Sequence, residues 1–160
     1  MRFLAFSLSL LILLAGCKVS VSSGENTNLP PMTSGTAEQR AEAESSARAF
    51  IAMIDRGQYD ETWDLAGSAL RGQSSRFAWA STLRLARSAF SAPPTREIDG
   101  FGFTTRIDPG VPAGEYVLVQ FKEVAGQVTT TEKVVMQKEQ ASWRIIGYFI
   151  HKQGRWGGGA

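Results

Sequence analysis

The chain has 160 residues, of which 43% are hydrophobic and 20% charged, with 17 Lys and Arg against 15 Asp and Glu for a formal charge of +2. This length allows one globular domain, the apolar content excludes a wholly disordered chain, and the near-neutral charge argues against nucleic acid as a partner. One Cys and one His exclude an internal disulfide and leave the usual zinc sites without ligands, so neither a metal nor a cofactor is expected.

The N terminus has the features of a bacterial lipoprotein signal. Arg2 gives a short positive region, and residues 3–14 are almost wholly apolar, which suits a signal peptide and is too short for a membrane-spanning helix. The run ends in Leu-Ala-Gly-Cys at residues 14–17, which resembles the lipobox at which lipoproteins are cleaved and acylated. We therefore expect residues 1–16 to be the signal peptide and Cys17 to be the lipidation site. An ordinary signal peptide with an incidental Cys is the alternative.

A flexible tether is expected at residues 17–36, which include the lipidated Cys, because this region is rich in Ser, Asn, Thr and Pro and has no hydrophobic period. Lys18 follows the Cys, whereas in the enterobacterial lipoproteins that this N terminus resembles, Asp at that position signals retention in the inner membrane. The expected location is therefore the cell envelope, on the periplasmic face of the outer membrane. The Gly-rich tail, residues 153–160, is expected to be flexible as well.

Residues 37–152 are expected to form one globular domain that begins with a long helix. Thr36 and Gln39 have the spacing of a capping box, and Gly57 is suited to follow the last turn. Between them, apolar residues recur at helical spacing and define the face that should be buried. They are Ala43, Ala47, Phe50, Ile51 and Ile54.

Two more helices are predicted before the chain changes to strands. The second is predicted to begin with a cap at Asp60 and to end near Gly72. The third is predicted to begin at Ser74 or Ser75 and to end at the Pro pair of residues 93–94. Its apolar stripe is Trp79, Leu83, Ala86 and Phe90.

Four strands are predicted in the second half, because the hydrophobic period changes to two and short turns separate the runs. The runs are residues 96–107, 115–122, 128–137 and 143–151. Short turns impose antiparallel pairing, so the fold class predicted is α+β, with three N-terminal helices packed on a curved four-stranded meander. Gly100 and Gly102 predict a bulge or bend in the first strand. This order of elements resembles the nuclear-transport-factor-2-like and cystatin-like cone folds.

Several motifs between residues 45 and 152 carry a family resemblance. They are Gly57-Gln58-Tyr59-Asp60 with Trp63, Trp79 with Arg87 and Arg96, Pro112-Ala113-Gly114-Glu115-Tyr116, and Glu132 with Trp143-Arg144-Ile145-Ile146-Gly147-Tyr148. Together they resemble the bacterial family called domain of unknown function 4019, found in small secreted or lipid-anchored proteins. After the second strand, the family tends to carry an aromatic residue where this chain has Ala125-Gly126. The resemblance implies a fold and a compartment, and it brings no activity.

Glu132 is the most informative charged residue. It shares one face of the third strand with Val134 and Met136, so the two-residue repeat places its carboxylate on the buried side. A buried carboxylate needs a cation, and Arg87 or Arg96 can bind it through two nitrogens of the guanidinium group. The group is either a structural ion pair or a polar site that binds an anionic ligand through its arginines.

His151 is a weak candidate for catalysis. Read with an unbroken period of two, it shares a face with Trp143, Ile145, Gly147 and Phe149, where it would be a base inside a pocket. Its position at the end of a strand is more typical of a surface residue. No catalytic residue is assigned, because the chain lacks a serine-hydrolase elbow, a phosphate-binding glycine loop and a paired metal-ligand motif.

The function expected from these features is that of a cell-envelope lipoprotein without catalytic activity. Acyl chains on Cys17 would hold it on the membrane, and its domain would bind an envelope protein or a small anionic or apolar ligand. Two alternatives stay open. One is a small acid–base enzyme with a pocket in the mouth of the cone, and the other is a structural module that forms a homodimer.

Overall fold

A computed structural model describes residues 29–89 and 95–154, and the predicted signal peptide, Cys17 and most of the Gly-rich tail lie outside these ranges. The described residues form helices α1 (Ala37–Asp55), α2 (Ser68–Gln73) and α3 (Arg76–Ala89), with a short 3-10 helix (Glu61–Leu65) between α1 and α2. The strands that follow are β1 (Glu97–Thr104), β2 (Tyr116–Ala125), β3 (Val128–Glu139) and β4 (Ser142–Gly154). They form one antiparallel sheet in the order β1-β2-β3-β4, so the predicted α+β class and the meander are confirmed.

Helix α1 forms as its sequence predicts. The Gln39 backbone N–H donates to Thr36 Oγ1 over 3.2 Å, and the Thr36 N–H donates to Gln39 Oε1 over 2.8 Å, which completes the capping box. Gly57 has a φ of 74° just after the helix, a conformation that glycine adopts without strain. The buried residues of the helix are those of the predicted stripe, namely Ala43, Ala47, Phe50, Ile51 and Ile54.

The predicted second helix is wrong as a single element. Residues 66–67 are extended and divide it into the 3-10 helix and α2, because their backbone pairs with the edge of β4. The Gly67 N–H donates to the Ile145 carbonyl over 2.8 Å, and a β-carbon at Gly67 would lie 3.0 Å from Ile146 Cγ2. The tight packing of Gly67 against side chains of β3 and β4 favours a glycine, and its backbone bond to β4 interrupts the helix.

Helix α3 begins at the cap predicted for it. Ser75, and not Ser74, accepts a hydrogen bond at Oγ from the Ala78 N–H over 3.2 Å. Trp79 and Leu83 are buried in the core. The indole N–H of Trp79 donates to Thr62 Oγ1 over 3.0 Å, which joins α3 to the 3-10 helix.

The sheet has an inner face against the helices and an outer face away from them. The inner face carries buried Val117, Val119, Phe121, Val134 and Met136, which belong to one core cluster with residues of α1 and α3. The register of β1 against β2 shifts between Ile98 and Gly100, as expected from the glycines of this strand. Strand β1 ends at Thr104, earlier than predicted.

A second irregularity changes the phase of β4. Met136 pairs with Ile145 while Val135 pairs with Gly147, so Ile146 is an extra residue on β4. Trp143 and Ile145 point inward before this bulge, whereas Phe149, 61% exposed, lies on the outer face after it. The single face predicted for residues 143–151 is therefore wrong beyond residue 145.

The last residues of the predicted tether contact the domain. The backbone of Thr33 exchanges two hydrogen bonds of 2.8 Å with that of Phe103, an antiparallel bridge at the edge of β1. Gly35, with a φ of 69°, packs so closely on Phe103 that a β-carbon would lie 2.5 Å from its ring. Contacts between the chain and the domain therefore begin before residue 37, where the domain was predicted to start.

Removal of the Trp143 ring tests the inner face. Trp143 is 8% exposed and its ring meets that of Phe103 edge to face at 5.9 Å, so Trp143→Ala is expected to lower the free energy of unfolding by about 3–5 kcal/mol. Phe77→Ala is the matched control, because Phe77 is 79% exposed on α3 and its loss should change stability by less than about 0.5 kcal/mol. Urea denaturation of the variants measures both effects, and equal midpoints would contradict the packing described.

Candidate functional site: a closed cluster of four charged side chains

Four charged side chains meet where α1 and α3 approach the sheet. Asp55 is the last residue of α1, Arg87 lies in the last turn of α3, Arg96 precedes β1, and Glu132 is in the middle of β3. We call them the charge cluster. Their positions join four elements that are distant in sequence.

Glu132 is the centre of the charge cluster. It is 1% exposed, on the inner face where the two-residue repeat of β3 predicted it. Arg87 Nη1 donates to Oε1 over 3.0 Å, and Arg96 Nε donates to Oε2 over 2.8 Å. The sequence predicted one arginine beside this carboxylate, and the structure places both there.

Asp55 is the member that sequence reasoning missed. Its carboxylate accepts hydrogen bonds from Arg87 Nη2 over 2.6 Å and from Arg96 Nη1 over 2.5 Å. The signal that could have found it is its position four residues after Ile51, which is buried in the apolar stripe of α1. This spacing places Asp55 on the same side of the helix, facing α3 and the sheet.

The charge cluster is electrically balanced and nearly closed. Two carboxylates face two guanidinium groups, and the exposed side-chain fractions are 28% for Asp55, 12% for Arg96, 6% for Arg87 and 2% for Glu132. Because each arginine is bonded to both carboxylates, an anionic ligand would have to displace a carboxylate before it could bind either one. The geometry therefore favours the structural ion pair over the ligand site among the two interpretations of Glu132.

The pKa shifts in and beside the cluster agree with this arrangement. Burial acts to lower the pKa of the Arg96 guanidinium, but its bonds to Asp55 and Glu132 together raise it above the ordinary value. Burial, and then the negative charge of Glu132, raise the pKa of the Tyr148 phenol far above its ordinary value. The Tyr148 hydroxyl is buried and has no hydrogen-bond partner among the described residues. It is therefore a neutral neighbour of the cluster.

His151 lies apart from the charge cluster. The bulge in β4 places it exposed on the outer face, where it pairs across the strands with Thr131. Because Thr131 precedes Glu132 on β3, the imidazole and the Glu132 carboxylate are on opposite sides of the sheet. The two groups cannot form the acid–base pair that a pocket enzyme would need.

Glu132 and His151 also do not line either of two concave regions of the described surface. One, of about 240 Å³, lies beside the N terminus of α1 and includes Gln39, Tyr116 and Trp143 in its lining. The other, of about 250 Å³, is an apolar groove on the outer face. Neither of them is lined by Glu132 or His151. In the part of the chain that the structure describes, no group of three His, Cys, Asp or Glu side chains could hold a metal ion.

The sequence comparison assigns the chain to a family. The family model of the proteins of unknown function designated DUF4019 matches residues 46–148, and the chain belongs to this family. The matched region contains all four members of the charge cluster, whereas Cys17 and His151 lie outside it. No curated protein matches the chain. Within residues 29–89 and 95–154, no helix is long and apolar enough to cross a membrane.

Substitution of the buried carboxylate tests the charge cluster. Glu132→Gln removes the charge that both arginines face in the core, so the free energy of unfolding is expected to fall by about 3–5 kcal/mol. Glu44→Gln is the matched control, because its bond to Arg48 is a partly exposed pair within α1 worth less than about 1 kcal/mol.

The double variant Glu132→Gln with Arg87→Gln separates coupling from simple loss of packing. If the two side chains act on each other, the double variant loses less stability than the sum of the single variants, as measured by urea denaturation. Strict additivity would contradict the interaction.

The pH dependence of stability tests the burial of the Tyr148 phenol. The unfolded phenol ionises near pH 10, whereas the buried phenol stays protonated to a higher pH. The stability that this difference provides is complete below about pH 10 and is lost as the pH rises further. Tyr148→Phe is therefore expected to fold at least as stably at pH 7 and to lose less stability than the native chain between pH 8 and pH 11. Parallel pH dependence of the two proteins in urea melts would show that the phenol is not buried.

Proposed function

We propose that this protein is a lipid-anchored lipoprotein of the cell envelope, on the periplasmic face of the outer membrane, whose domain binds a partner and catalyses no reaction. The observation that carries the proposal is the closed charge cluster, because it leaves the buried charged groups without access to a substrate. Glu132 is 1% exposed, and both oxygens of its carboxylate accept hydrogen bonds from arginines. A buried carboxylate with both oxygens bonded to arginines offers no open oxygen to a substrate.

The acid–base enzyme is the weaker alternative on the same geometry. A pocket enzyme needs a titratable group that lines an open cavity, and neither acid–base candidate, Glu132 or His151, lines any of four cavities on the described surface. Several aromatic side chains that could have lined a ligand site are packed in the core instead. Phe50 contacts Tyr148 edge to face at 5.6 Å and stacks on Trp79 at 6.3 Å.

The anchor is supported by the sequence of the N terminus. The lipobox-like residues 14–17 contain the only Cys of the chain, so acylation would account for that residue without a redox or catalytic role. The segment that follows leads to Thr33, where the chain joins the edge of β1. A membrane anchor at Cys17 would therefore hold the domain by the β1 side of its sheet.

Metabolic labelling tests the anchor. Cells that express the native chain with a palmitate analogue are expected to yield a labelled protein that fractionates with outer membranes, whereas Cys17→Ser should lose the label completely. Ser22→Ala changes a residue of the same tether without removing the acylation site and should keep the label. A native chain that never incorporates the analogue would exclude the lipoprotein function.

A further inference from the structure

We propose that the outer face of the sheet contacts the bilayer to which the chain is anchored, with Met32 and Phe149 entering the headgroup region. This inference rests on the proposed function, since the anchor brings the domain to the membrane. It names the partner of the domain as a phospholipid surface. The bilayer contact itself is a property of the folded domain and can be measured without the anchor.

The contact surface is an apolar groove of about 250 Å³ on the outer face. Leu118 and Val135 form its floor as cross-strand partners on β2 and β3. Ile146, the extra residue of the β4 bulge, also lines it. The bulge that disturbs the inner face therefore supplies an apolar side chain to the outer one.

Two apolar side chains of the groove project into solvent. Met32 is 58% exposed and Phe149 is 61% exposed, although both line the same groove. Met32 lies over Gly102, where a β-carbon would come within 2.7 Å of its sulfur. An exposed apolar patch of this kind marks an interaction surface, and projecting side chains suit insertion into the interface of a bilayer.

The length of the tether favours the bilayer as the partner that covers the groove. Twelve peptide units join Cys17 to Leu29, so the segment can span at most about 40 Å. A domain of this size has a radius of gyration of about 14 Å. Because the tether reaches the domain at Met32, which lines the groove, the groove faces the membrane at short range and at high effective concentration.

The charges around the groove agree with a phospholipid surface. Lys133 is the cross-strand partner of Phe149, and Lys122 and His151 both pair with Thr131 in the next row. Among the described residues neither lysine forms an ion pair within 4 Å. Lysine heads beside an inserted ring can reach anionic headgroups.

The acidic residues of this face lie at its other edge. Glu97 and Asp99 are on β1, where Glu97 is the cross-strand partner of Lys122 and Asp99 accepts a hydrogen bond from Gln120 over 2.5 Å. Lys133 is therefore the lysine of this face that lies away from the acidic edge. The side of the groove formed by β3 and β4 is therefore the side that would meet anionic lipid, while the β1 side receives the tether.

Vesicle binding by a chain without the anchor tests this contact. Residues 17–160 contain every described element, and Cys17→Ser in this chain removes the acylation site. Sedimentation with vesicles of phosphatidylethanolamine and phosphatidylglycerol at 3:1, at millimolar lipid, is expected to recover bound protein. Phe149→Ser should lower the partition constant by about tenfold, because a large ring leaves the interface.

Two further variants make the test specific. Phe77→Ser removes a ring of α3 that is more exposed than Phe149, at 79% against 61%, and lies away from the outer face, so it should leave binding unchanged. Lys133→Glu should weaken binding to the anionic vesicles and have little effect on phosphatidylcholine vesicles. Circular dichroism verifies that each variant is folded.

Other outcomes would overturn the proposal. Equal loss of binding in Phe77→Ser and Phe149→Ser, or no binding by the anchor-free chain, would exclude a specific contact. A dimer in sedimentation equilibrium that Phe149→Ser dissociates would show that a second copy covers the face. Palmitate labelling tests the anchor separately, so failure of the lipoprotein function and failure of the membrane contact give different results.

Discussion

The carboxylate of Glu132 is the constraint on which the arrangement of helices and sheet depends. Removing a carboxylate from water is very unfavourable unless cations and hydrogen bonds compensate it, and here two guanidinium groups do so from different elements. Arg87 and Arg96 in turn require Asp55. The end of α1, the end of α3 and the start of β1 must therefore converge on the middle of β3. Such a network contributes less to net stability than its hydrogen bonds suggest, but misplacing any member leaves a buried charge unpaired.

The charge balance of the cluster also bears on the function of the domain. Charged groups that neutralise one another in the core are unavailable to a substrate, and the inner face between them is filled by rings and aliphatic side chains. The outer face is different, because its central residues are apolar without being covered. Under the proposed function, the interaction surface is therefore the outer face of the sheet. This division of the two faces agrees with the binding role that we propose.

Sequence periodicity predicted the parts of the fold whose pattern is regular. The stripe of α1, its capping box and the inner position of Glu132 follow from local spacing, and the structure agrees with each of them. The β4 bulge could not be predicted in this way, because residues 143–150 are mostly apolar and an inserted residue leaves no visible break in such a run. The bridge at residues 66–67 was missed because it depends on a long-range contact that local sequence does not encode. Helical spacing from Ile51 indicates the buried side of α1 for Asp55, but its arginine partners lie 32 and 41 residues further along the chain.

The Thr33 bridge holds a segment that could lengthen the proposed tether if it were released. Two backbone hydrogen bonds of Thr33 and the packing of Gly35 on Phe103 hold residues 29–35 against β1, whereas the capping box that starts α1 is made by residues beyond this segment. A pull on the proposed anchor at Cys17 would therefore release these seven residues before it reached the helix. The released segment would add about 24 Å of reach, so under the proposed function the domain could move away from the membrane while its core stays intact.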